Sequence, residues 1–332
     1  MVPSRVLVRL PNWLGDVVMA RPALWALRAA WPGAEIVGVG PAGPCTPLVE
    51  EGVLTRFIAS GRDRAATERE ARRGTPEVAF VLPNSFSSAW LAWRSGASTR
   101  VGFRGEGRSF LLTHALPRAS RGDRHQTDEF LDLVATQGVH EARTPLLKPS
   151  EAARTEARAL LAEVGVGDDR PYAIMGPRSA YGPAREWFRG RFAEAARGLA
   201  ARGLRVLVCG TASEREACDE VVAGSQGAAI SVAGRTGLPA LLALASQARL
   251  ALCNDSGLAH LAAAAGAPTI QIYGSAASGW TAARGPHVRI LHRAPVCSPC
   301  WQRQCRIGTQ CLDAVSVAWV LRQADALLTE AA

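Results

Sequence analysis

Lysine is almost absent from this chain of 332 residues: of its 38 lysines and arginines, Lys148 is the single lysine. Long hydrophobic runs are absent too, and none reaches the ~20 apolar residues that a membrane-spanning helix needs. The first residues lead directly into a strand-like segment, Arg5 to Leu10, without the apolar stretch of a secretory signal. With 48% hydrophobic and 20% charged residues, the composition is that of a folded globular protein, which we expect to be cytoplasmic.

Cysteine is too sparse for a disulfide scaffold, because the eight cysteines are spread through a long chain. Four of them nevertheless crowd into the spacing Cys297-x2-Cys300-x4-Cys305-x5-Cys311. Four thiolates suit a closed tetrahedral zinc site, but this spacing is not that of two separated C-x2-C pairs. Three interpretations of this segment are possible: a zinc site, one local disulfide, or reduced thiols that pack in the interior. The spacing favours the last two.

The formal net charge is +9 and the pI about 9.7, so the surface should attract anionic partners. Nucleic acid, an acidic membrane lipid and a phosphorylated glycolipid all fit that charge. The first half carries many arginines, but aromatic residues are few among them and no nucleic-acid-binding motif accompanies them. These arginines form either a solvated surface or an acceptor-binding surface, and we expect no nucleic-acid partner.

Short apolar segments alternate with helical patterns along the whole chain, which predicts parallel sheets covered by helices on both faces. The pattern starts afresh near residue 165. We therefore predict an α/β protein of two Rossmann-like domains, residues 1–165 and 166–332, whose sheets face a central cleft. In such sheets ligands bind beyond the carboxyl ends of the strands. Residues 102–123, rich in arginine and glycine, are predicted to form a long loop.

The stretch from Arg249 to Ser275 is the most informative part of the second half. An apolar run, Leu250 to Cys253, leads into the polar corner Asn254-Asp-Ser-Gly257 and then into an alanine-rich helix. Small residues let the backbone approach an anion closely, and the first helical turn offers free N–H groups and a positive dipole end. His260 on that turn adds a donor. We predict that this corner binds the diphosphate of a nucleotide-activated substrate.

Asp16 follows the first strand and precedes a helix that the pattern predicts from Val17. Asp is a preferred N-cap, so one interpretation is structural, and position alone favours it. The other interpretation is a carboxylate that faces the cleft and acts as a general base. The nearby pattern Gly38-x-Gly40-x-x-Gly43 matches a dinucleotide-binding motif, but it follows the second strand and is interrupted by proline, so we predict a loop there.

The segment from Gly176 to Trp187 is a glycine- and proline-rich loop after the first strand of the second half. It carries Arg178 and Arg185, and a guanidinium can form two parallel hydrogen bonds to a phosphate. The alternative is a pair of solvated arginines beside an anchoring tryptophan. The residues alone leave both interpretations open.

Five motifs occur in a fixed order along the chain and carry a family resemblance. They are Leu10-Pro-Asn-Trp-Leu-Gly-Asp16 with Arg21-Pro-Ala-Leu24, Leu82-Pro-Asn-Ser85, Gly182-Pro-Ala-Arg-Glu-Trp187, Asn254-Asp-Ser-Gly-Leu-Ala-His260, and Tyr273-Gly-Ser275. From about residue 5 to 315 the sequence resembles the ADP-heptose:lipopolysaccharide heptosyltransferases, glycosyltransferase family 9. Its cysteine-rich segment is similar to that of the heptosyltransferase II branch of the family.

The resemblance implies a GT-B fold, with acceptor binding by the first domain, donor binding by the second, and a last helix placed to pack back on the first. It implies inverting transfer of heptose from ADP-heptose, a substrate, to the lipopolysaccharide inner core, with no metal or other cofactor. Asp16 becomes the general base. Arg185, at a position usually held by lysine, would neutralise the leaving diphosphate.

The same resemblance assigns the donor-binding residues of the polar corner. Ser256, Gly257 and His260 match the diphosphate-binding turn, and Asp255 matches a position near the donor sugar. After Ser275 the chain lacks the Asp-Pro type of continuation that the family often has. The contacts to the sugar are therefore less well defined than those to the nucleotide.

Glu214 would hold the ribose, and Thr236 would lie near adenine. The implied partners are the ADP-heptose donor and an anionic glycolipid acceptor, with peripheral contact to the cytoplasmic face of the inner membrane. Two rival classes are a GT-B enzyme or sugar-nucleotide epimerase with another donor, and a non-catalytic binder of anionic polymers. The second rival would leave Asp16 and the Asn254–His260 corner without a purpose.

Overall fold

The computed structural model describes residues 2–167 and 170–330. The chain divides into two compact units, of which one ends at Pro145 and the other begins at Leu146. This division precedes the expected boundary at 165/166. The reason is that the helix Glu151–Glu163 places Ala157 and Leu161 in a core of the second unit, beside strands of that unit's sheet.

The first unit is a six-stranded parallel sheet with helices on both faces. Its elements are β1 (Arg5–Arg9), α1 (Leu14–Met19), α2 (Arg21–Ala30), β2 (Glu35–Gly40), α3 (Ala42–Glu51), β3 (Arg56–Ala59), α4 (Arg64–Arg72), β4 (Val78–Val81), α5 (Phe86–Arg94), β5 (Thr99–Phe103), β6 (His114–Leu116) and α6 (Gln126–Ala135). The strands lie in the order β3-β2-β1-β4-β5-β6. Val6 and Val8 enter the core on one face and Leu7 the core on the other, which explains why the strands are apolar at nearly every position.

The second unit is built in the same way. Its elements are α7 (Glu151–Glu163), β7 (Tyr172–Gly176), α8 (Arg189–Ala200), β8 (Arg205–Val208), α9 (Arg215–Gly224), β9 (Ala229–Ser231), α10 (Leu238–Gln247), β10 (Leu250–Asn254), α11 (Gly257–Ala264), β11 (Thr269–Ile272), α12 (Ser278–Thr281), β12 (Val288–Leu291), α13 (Gln310–Asp313) and α14 (Val317–Glu330). The strands lie in the order β12-β11-β10-β7-β8-β9. The last helix, α14, packs on α8, β10 and β11 within this unit. Of the helices in the described ranges, none has the length and apolarity to cross a membrane.

Both sheets have the same topology, and the predicted α/β class is confirmed. Numbered within each unit, the strand order is 3-2-1-4-5-6, which is that of a dinucleotide-binding Rossmann fold. The winding reverses between the first and fourth strands, which pair in parallel as β1 with β4 and as β7 with β10. Ligands bind beyond the carboxyl ends of the strands at such a switch point. The loops after these four strands are therefore the candidate sites.

Several predicted elements need correction. The helix predicted from Val17 onwards is two helices, α1 and α2, separated at Ala20. The loop predicted at Gly38–Gly43 gives way to α3 at Ala42; Pro44 is tolerated in its first turn, where a backbone N–H has no intrahelical partner. The loop predicted over 102–123 contains β6. This strand, like β12, lies at a sheet edge and is only partly buried, so its apolar pattern is weak.

Candidate active site

The corner after β10 is organised by a fully buried asparagine, Asn254. Its Oδ1 accepts the backbone N–H of Trp187 at 2.8 Å, and its Nδ2 donates to the backbone oxygen of Pro177 at 2.7 Å. Ser179 Oγ donates to the backbone oxygen of Asp255 at 2.9 Å. These bonds join the loop after β7 to the loop after β10, so the two loops form one surface at the switch point of the second sheet.

Arg185 and Asp255 form a buried ion pair in this corner. The Nη1–Oδ2 distance is 2.8 Å, and the side chains are 15% and 4% exposed. Burial raises the pKa of the Asp255 carboxyl, and the Arg185 charge and a hydrogen bond with Tyr273 oppose that shift. The guanidinium carbon of Arg185 also lies 3.7 Å from the centre of the Tyr181 ring. Asp255 therefore orients Arg185, and its expected contact with the donor sugar stays a prediction.

Four buried donor atoms of this region have no hydrogen-bond partner among the described residues: Nε of Arg178, Nε of Arg185, Oγ of Ser256 and Oγ of Ser275. The acceptor Oδ2 of Asp255 likewise has no hydrogen bond, but it is ion-paired with Arg185. Buried polar groups are nearly always satisfied, and each orphan costs about 1–3 kcal/mol. Ser275 lies beside the arginine loop, since its backbone N–H donates to Ala184 O at 3.2 Å. An anion placed between these loops would give the orphaned donors a partner.

The N-terminus of α11 adds donors at the same place. The helix begins at Gly257, with Ser256 as its N-cap in an extended conformation, and no side chain caps the first turn. Its first N–H groups have no partner within the helix. His260 lies one turn into the helix and is 5% exposed. The structure thus brings together the three residues predicted for the diphosphate-binding turn.

A pocket of about 590 Å³ opens beside the arginine loop, lined by residues of the loops after β7 and β8 and of the cysteine-rich segment. Glu214 is part of its wall, and its Oε2 accepts two hydrogen bonds from Thr211, at 2.8 and 3.0 Å. Thr236 is not among the lining residues. It lies in the loop after β9, where Gly234 N–H donates to Gly210 O at 2.9 Å. The structure therefore places Glu214 in this pocket and Thr236 in the adjoining loop.

The cysteine-rich segment, residues 297–311, supports the arginine loop, a role that the sequence did not reveal. Arg303 Nε donates to Tyr181 O at 2.8 Å, and the Tyr181 hydroxyl donates to Trp301 O at 2.6 Å. The approach is so close that a Cβ on Gly182 would lie 2.6 Å from the backbone oxygen of Arg303. Arg303 also lines the pocket. The only sequence signal for this role was the pair of arginines between the cysteines.

All eight cysteines are free thiols. In residues 2–167 and 170–330, no group of three or more His, Cys, Asp and Glu side chains could hold a metal ion. Cys305 differs from an ordinary surface thiol. The backbone N–H of Thr309 donates to its Sγ at 3.1 Å, and hydrogen bonds from backbone N–H groups, that of Ile307 first, lower its pKa.

Asp16 lies at the switch point of the first sheet, in the first turn of α1. That helix begins at Leu14 with Trp13 as N-cap, so the interpretation of Asp16 as the N-cap of a helix beginning at Val17 is wrong. The helix starts three residues earlier than predicted, and Leu14 and Gly15, both half-buried, belong to its first turn. The Asp16 side chain is half-buried, and a carboxylate in a first turn is favoured by the helix dipole.

A buried arginine, Arg108, fixes the other loop at this switch point. It is 0% exposed, and its guanidinium donates to Pro83 O at 2.5 Å, Ser85 O at 3.2 Å and Asn84 Oδ1 at 3.1 Å. Two further bonds reach Phe103 O, at 3.0 and 2.7 Å. Burial lowers the pKa of Arg108 to about 10. Among so many arginines, nothing in the sequence indicated that this one is internal.

Comparison with known proteins agrees with this architecture. A model of glycosyltransferase family 9 (heptosyltransferase) matches residues 64–310. Lipopolysaccharide heptosyltransferase 2 of Salmonella typhimurium is 29% identical over 305 residues, which are 86% of this chain and 87% of the relative. Lipopolysaccharide heptosyltransferase 1 of Pseudomonas aeruginosa is 34% identical over 319 residues, 91% of this chain and 87% of the relative.

A solved structure, that of ADP-heptose lipopolysaccharide heptosyltransferase II of E. coli, matches with a TM-score of 0.84 and 26% identity, covering 98% of this chain and 99% of that one. The protein is thus a glycosyltransferase, and the predicted GT-B class of two Rossmann-like domains is confirmed. It belongs to glycosyltransferase family 9, the heptosyltransferases.

Proposed function

We propose that this protein transfers heptose from ADP-heptose to the inner core of lipopolysaccharide, with inversion at the anomeric carbon. The observation that carries the proposal is the corner at the start of α11, where Arg185 and the orphaned Oγ of Ser256 lie, with the orphaned Oγ of Ser275 beside the arginine loop. Such a site fits a diphosphate. The names of the relatives supply the sugar and the acceptor.

Inverting transfer is a single displacement, so it needs a base on one side of the anomeric carbon and charge stabilisation on the other. Asp16 takes the proton of the acceptor hydroxyl as its oxygen bonds to the anomeric carbon. The bond from that carbon to the diphosphate oxygen breaks, and ADP leaves with one more negative charge. Arg185, Ser256 and the first N–H groups of α11 stabilise that charge.

The nucleotide part of the donor occupies the pocket beside the arginine loop in this proposal. Glu214, which lines the pocket, has one carboxylate oxygen, Oε2, engaged by Thr211 and holds the ribose through the other. Thr236 reaches adenine from the adjoining loop, and His260 and Gly257 complete the diphosphate turn. ADP-heptose is consumed as a substrate, and no cofactor or metal takes part.

The acceptor in this proposal is an anionic glycolipid, which matches the net charge of +9. The protein works in the cytoplasm, in peripheral contact with the inner membrane that carries its acceptor. Acceptor binding falls to the first unit, since Asp16 lies there.

Transfer from ADP-heptose onto heptose-deficient core glycolipid, followed by mass spectrometry of the product, tests the function. We expect the acceptor to gain heptose only with the ADP-linked donor, and a set of UDP-sugars to give no product. Transfer from a UDP-sugar, or conversion of the nucleotide sugar without an acceptor, would show instead a related enzyme with another donor or an epimerase.

A further inference from the structure

Four exposed aromatic side chains of the first unit form one cluster, which we call the aromatic surface: Phe86, Trp90, Trp93 and Phe110. They are 42%, 39%, 44% and 75% exposed. The ring centre of Phe86 lies 6.3 Å from that of Trp90 and 6.3 Å from that of Phe110. The ring centres of Trp90 and Trp93 are 4.9 Å apart. Single exposed apolar residues are normal, but a contiguous patch marks an interaction site.

The packing of α5 does not account for this surface. The helix turns Ser88, Ala89, Leu91 and Ala92 toward the interior, and of these only Leu91 is large and apolar. Its three largest apolar side chains, at 86, 90 and 93, follow helical spacing on the other face. An amphipathic helix normally buries its large apolar residues and exposes its polar ones. α5 instead exposes three of its four large apolar side chains, which suits a partner on its outer face.

The chain around the aromatic surface is strongly basic. Residues 78–122 contain one acidic residue, Glu106, and six arginines, at positions 94, 100, 104, 108, 118 and 121. Arg108 is internal, whereas Arg94 and Arg104 are exposed, and Arg94 is ion-paired with Glu68 of α4 at 3.0 Å. Tryptophan rings beside arginines are the composition of segments that bind at the headgroup level of an anionic bilayer. Near such a surface each basic residue contributes about 1 kcal/mol.

The aromatic surface adjoins the candidate acceptor end of the first sheet. α5 directly follows the Leu82–Ser85 loop, which lies at the switch point beside the loop that leads to Asp16. Arg108 holds the Leu82–Ser85 loop and is followed by the 3-10 helix Ser109–Leu111, which carries Phe110. The surface and the candidate catalytic carboxylate are therefore fixed by neighbouring loops of one rigid sheet.

We propose that the aromatic surface docks on the anionic headgroup region of a lipid bilayer and so presents a lipid-anchored acceptor to the loops beside Asp16. Contact with a membrane and presentation of the acceptor rest on the proposed function; the assignment of that contact to this surface rests on its exposed rings and its arginines. Single-stranded nucleic acid also fits arginines and aromatic rings. The rings of Trp90 and Trp93 pack on each other, however, which covers part of their faces and favours an apolar interface over stacking with separate bases.

Sedimentation with vesicles tests the docking. The wild-type protein should bind vesicles that contain phosphatidylglycerol much more tightly than vesicles of phosphatidylcholine alone, with a blue shift of tryptophan emission. The triple variant Trp90→Ser, Trp93→Ser, Phe110→Ser should bind the anionic vesicles at least ~10-fold more weakly, since it loses three interfacial anchors. Val49→Ser, which removes a 45% exposed apolar side chain from α3, should bind like wild type.

Undiminished vesicle binding by the triple variant, at an unchanged urea midpoint, would overturn the proposal. So would wild-type binding to a single-stranded oligonucleotide but not to vesicles, which would indicate a nucleic-acid partner. A dimer that the triple variant abolishes, without vesicle binding by the wild type, would assign the surface to a second copy of the chain and equally overturn it.

Activity on two forms of the acceptor separates this proposal from the function. The triple variant should transfer heptose normally to a deacylated, water-soluble acceptor and at least ~10-fold more slowly to acceptor embedded in vesicles. If the wild type transfers to neither acceptor, the proposed function fails while the vesicle result still stands. Equal losses on both acceptors would overturn the docking role and leave the function intact.

Discussion

The two sheets share a strand order and a switch point, yet the loops at the two switch points differ in chemistry. In the second unit these loops hold a buried ion pair and polar atoms without partners, at the start of a helix. In the first unit they hold a half-buried carboxylate, Asp16, next to exposed aromatic rings. The fold therefore determines where a ligand can bind, and the loop residues determine what chemistry it meets: a guanidinium and unpartnered donors in the second unit, a carboxylate in the first.

Breaking the ion pair of the second unit should have the largest effect on stability. Asp255→Ala leaves the Arg185 cation buried without a partner, which should lower the free energy of unfolding by about 3–5 kcal/mol in urea titrations. Asp325→Ala is the matched control, since its pair with Arg202 lies at the surface, with the Asp325 side chain 52% exposed. That change should stay within about 1 kcal/mol. Equal losses in the two variants would mean that the buried pair has no special role.

Removing an orphaned hydroxyl should separate binding from stability. Ser256 Oγ is buried without a hydrogen-bond partner among the described residues, so Ser256→Ala should leave the urea midpoint unchanged or raise it, because an unsatisfied buried group is removed. It should weaken ADP binding by about 1.5–3 kcal/mol, roughly tenfold or more in Kd, because a hydrogen bond to a charged phosphate is lost. Isothermal titration calorimetry with ADP measures this. An unaltered ADP affinity in this variant would show that Ser256, at the start of α11, does not bind the nucleotide.

The support that the cysteine-rich segment gives to the arginine loop can be tested at a glycine. Gly182 has φ +146°, and an added Cβ would meet the backbone oxygen of Arg303 at 2.6 Å. Gly182→Ala should cost about 1–3 kcal/mol of stability and weaken ADP binding. Gly190→Ala, in the first turn of α8 with nothing near its Cβ position, should instead stabilise by up to about 1 kcal/mol. Similar urea midpoints for the two variants would argue against a rigid contact.

The smallest effect concerns the thiol of Cys305. Backbone N–H groups lower its pKa, so its thiolate persists to lower pH in the folded protein than in the unfolded chain. The pH of half-maximal alkylation by iodoacetamide, read by mass spectrometry of the peptide, should therefore be lower in the native protein than in urea. The buried thiols of Cys218 and Cys253, whose pKa burial raises to about 12, should resist alkylation until the chain unfolds. A native midpoint at or above that in urea would contradict the assignment.

Local chemistry made part of this molecule predictable. The Asn254–His260 corner could be predicted because a strand, small polar residues and a helix follow one another within a few positions. The start of α1 was predicted wrongly, because Trp13 caps the helix with its backbone alone and carries no side-chain signal.

Features that depend on long-range contacts could not be predicted from the sequence. Arg185 pairs with a carboxylate 70 positions away, and Arg108 becomes internal only when the loops after β4 and β5 meet around it. The aromatic surface was not predicted for the same reason, since Phe110 is brought next to the rings of α5 only when the chain folds. The hydrophobic periodicity of one segment carries no information about its contacts with distant segments.

The division of work between the two switch points is tested most directly by Asp16→Asn, with turnover and ADP affinity measured on the same preparation. The amide cannot take the acceptor proton, so turnover should fall by ~10²-fold or more. ADP affinity should stay within about twofold of wild type, because the proposed nucleotide site uses residues of the second unit alone. Normal turnover would contradict the role of Asp16 as base, and a parallel loss of ADP binding would contradict the separation of the two sites.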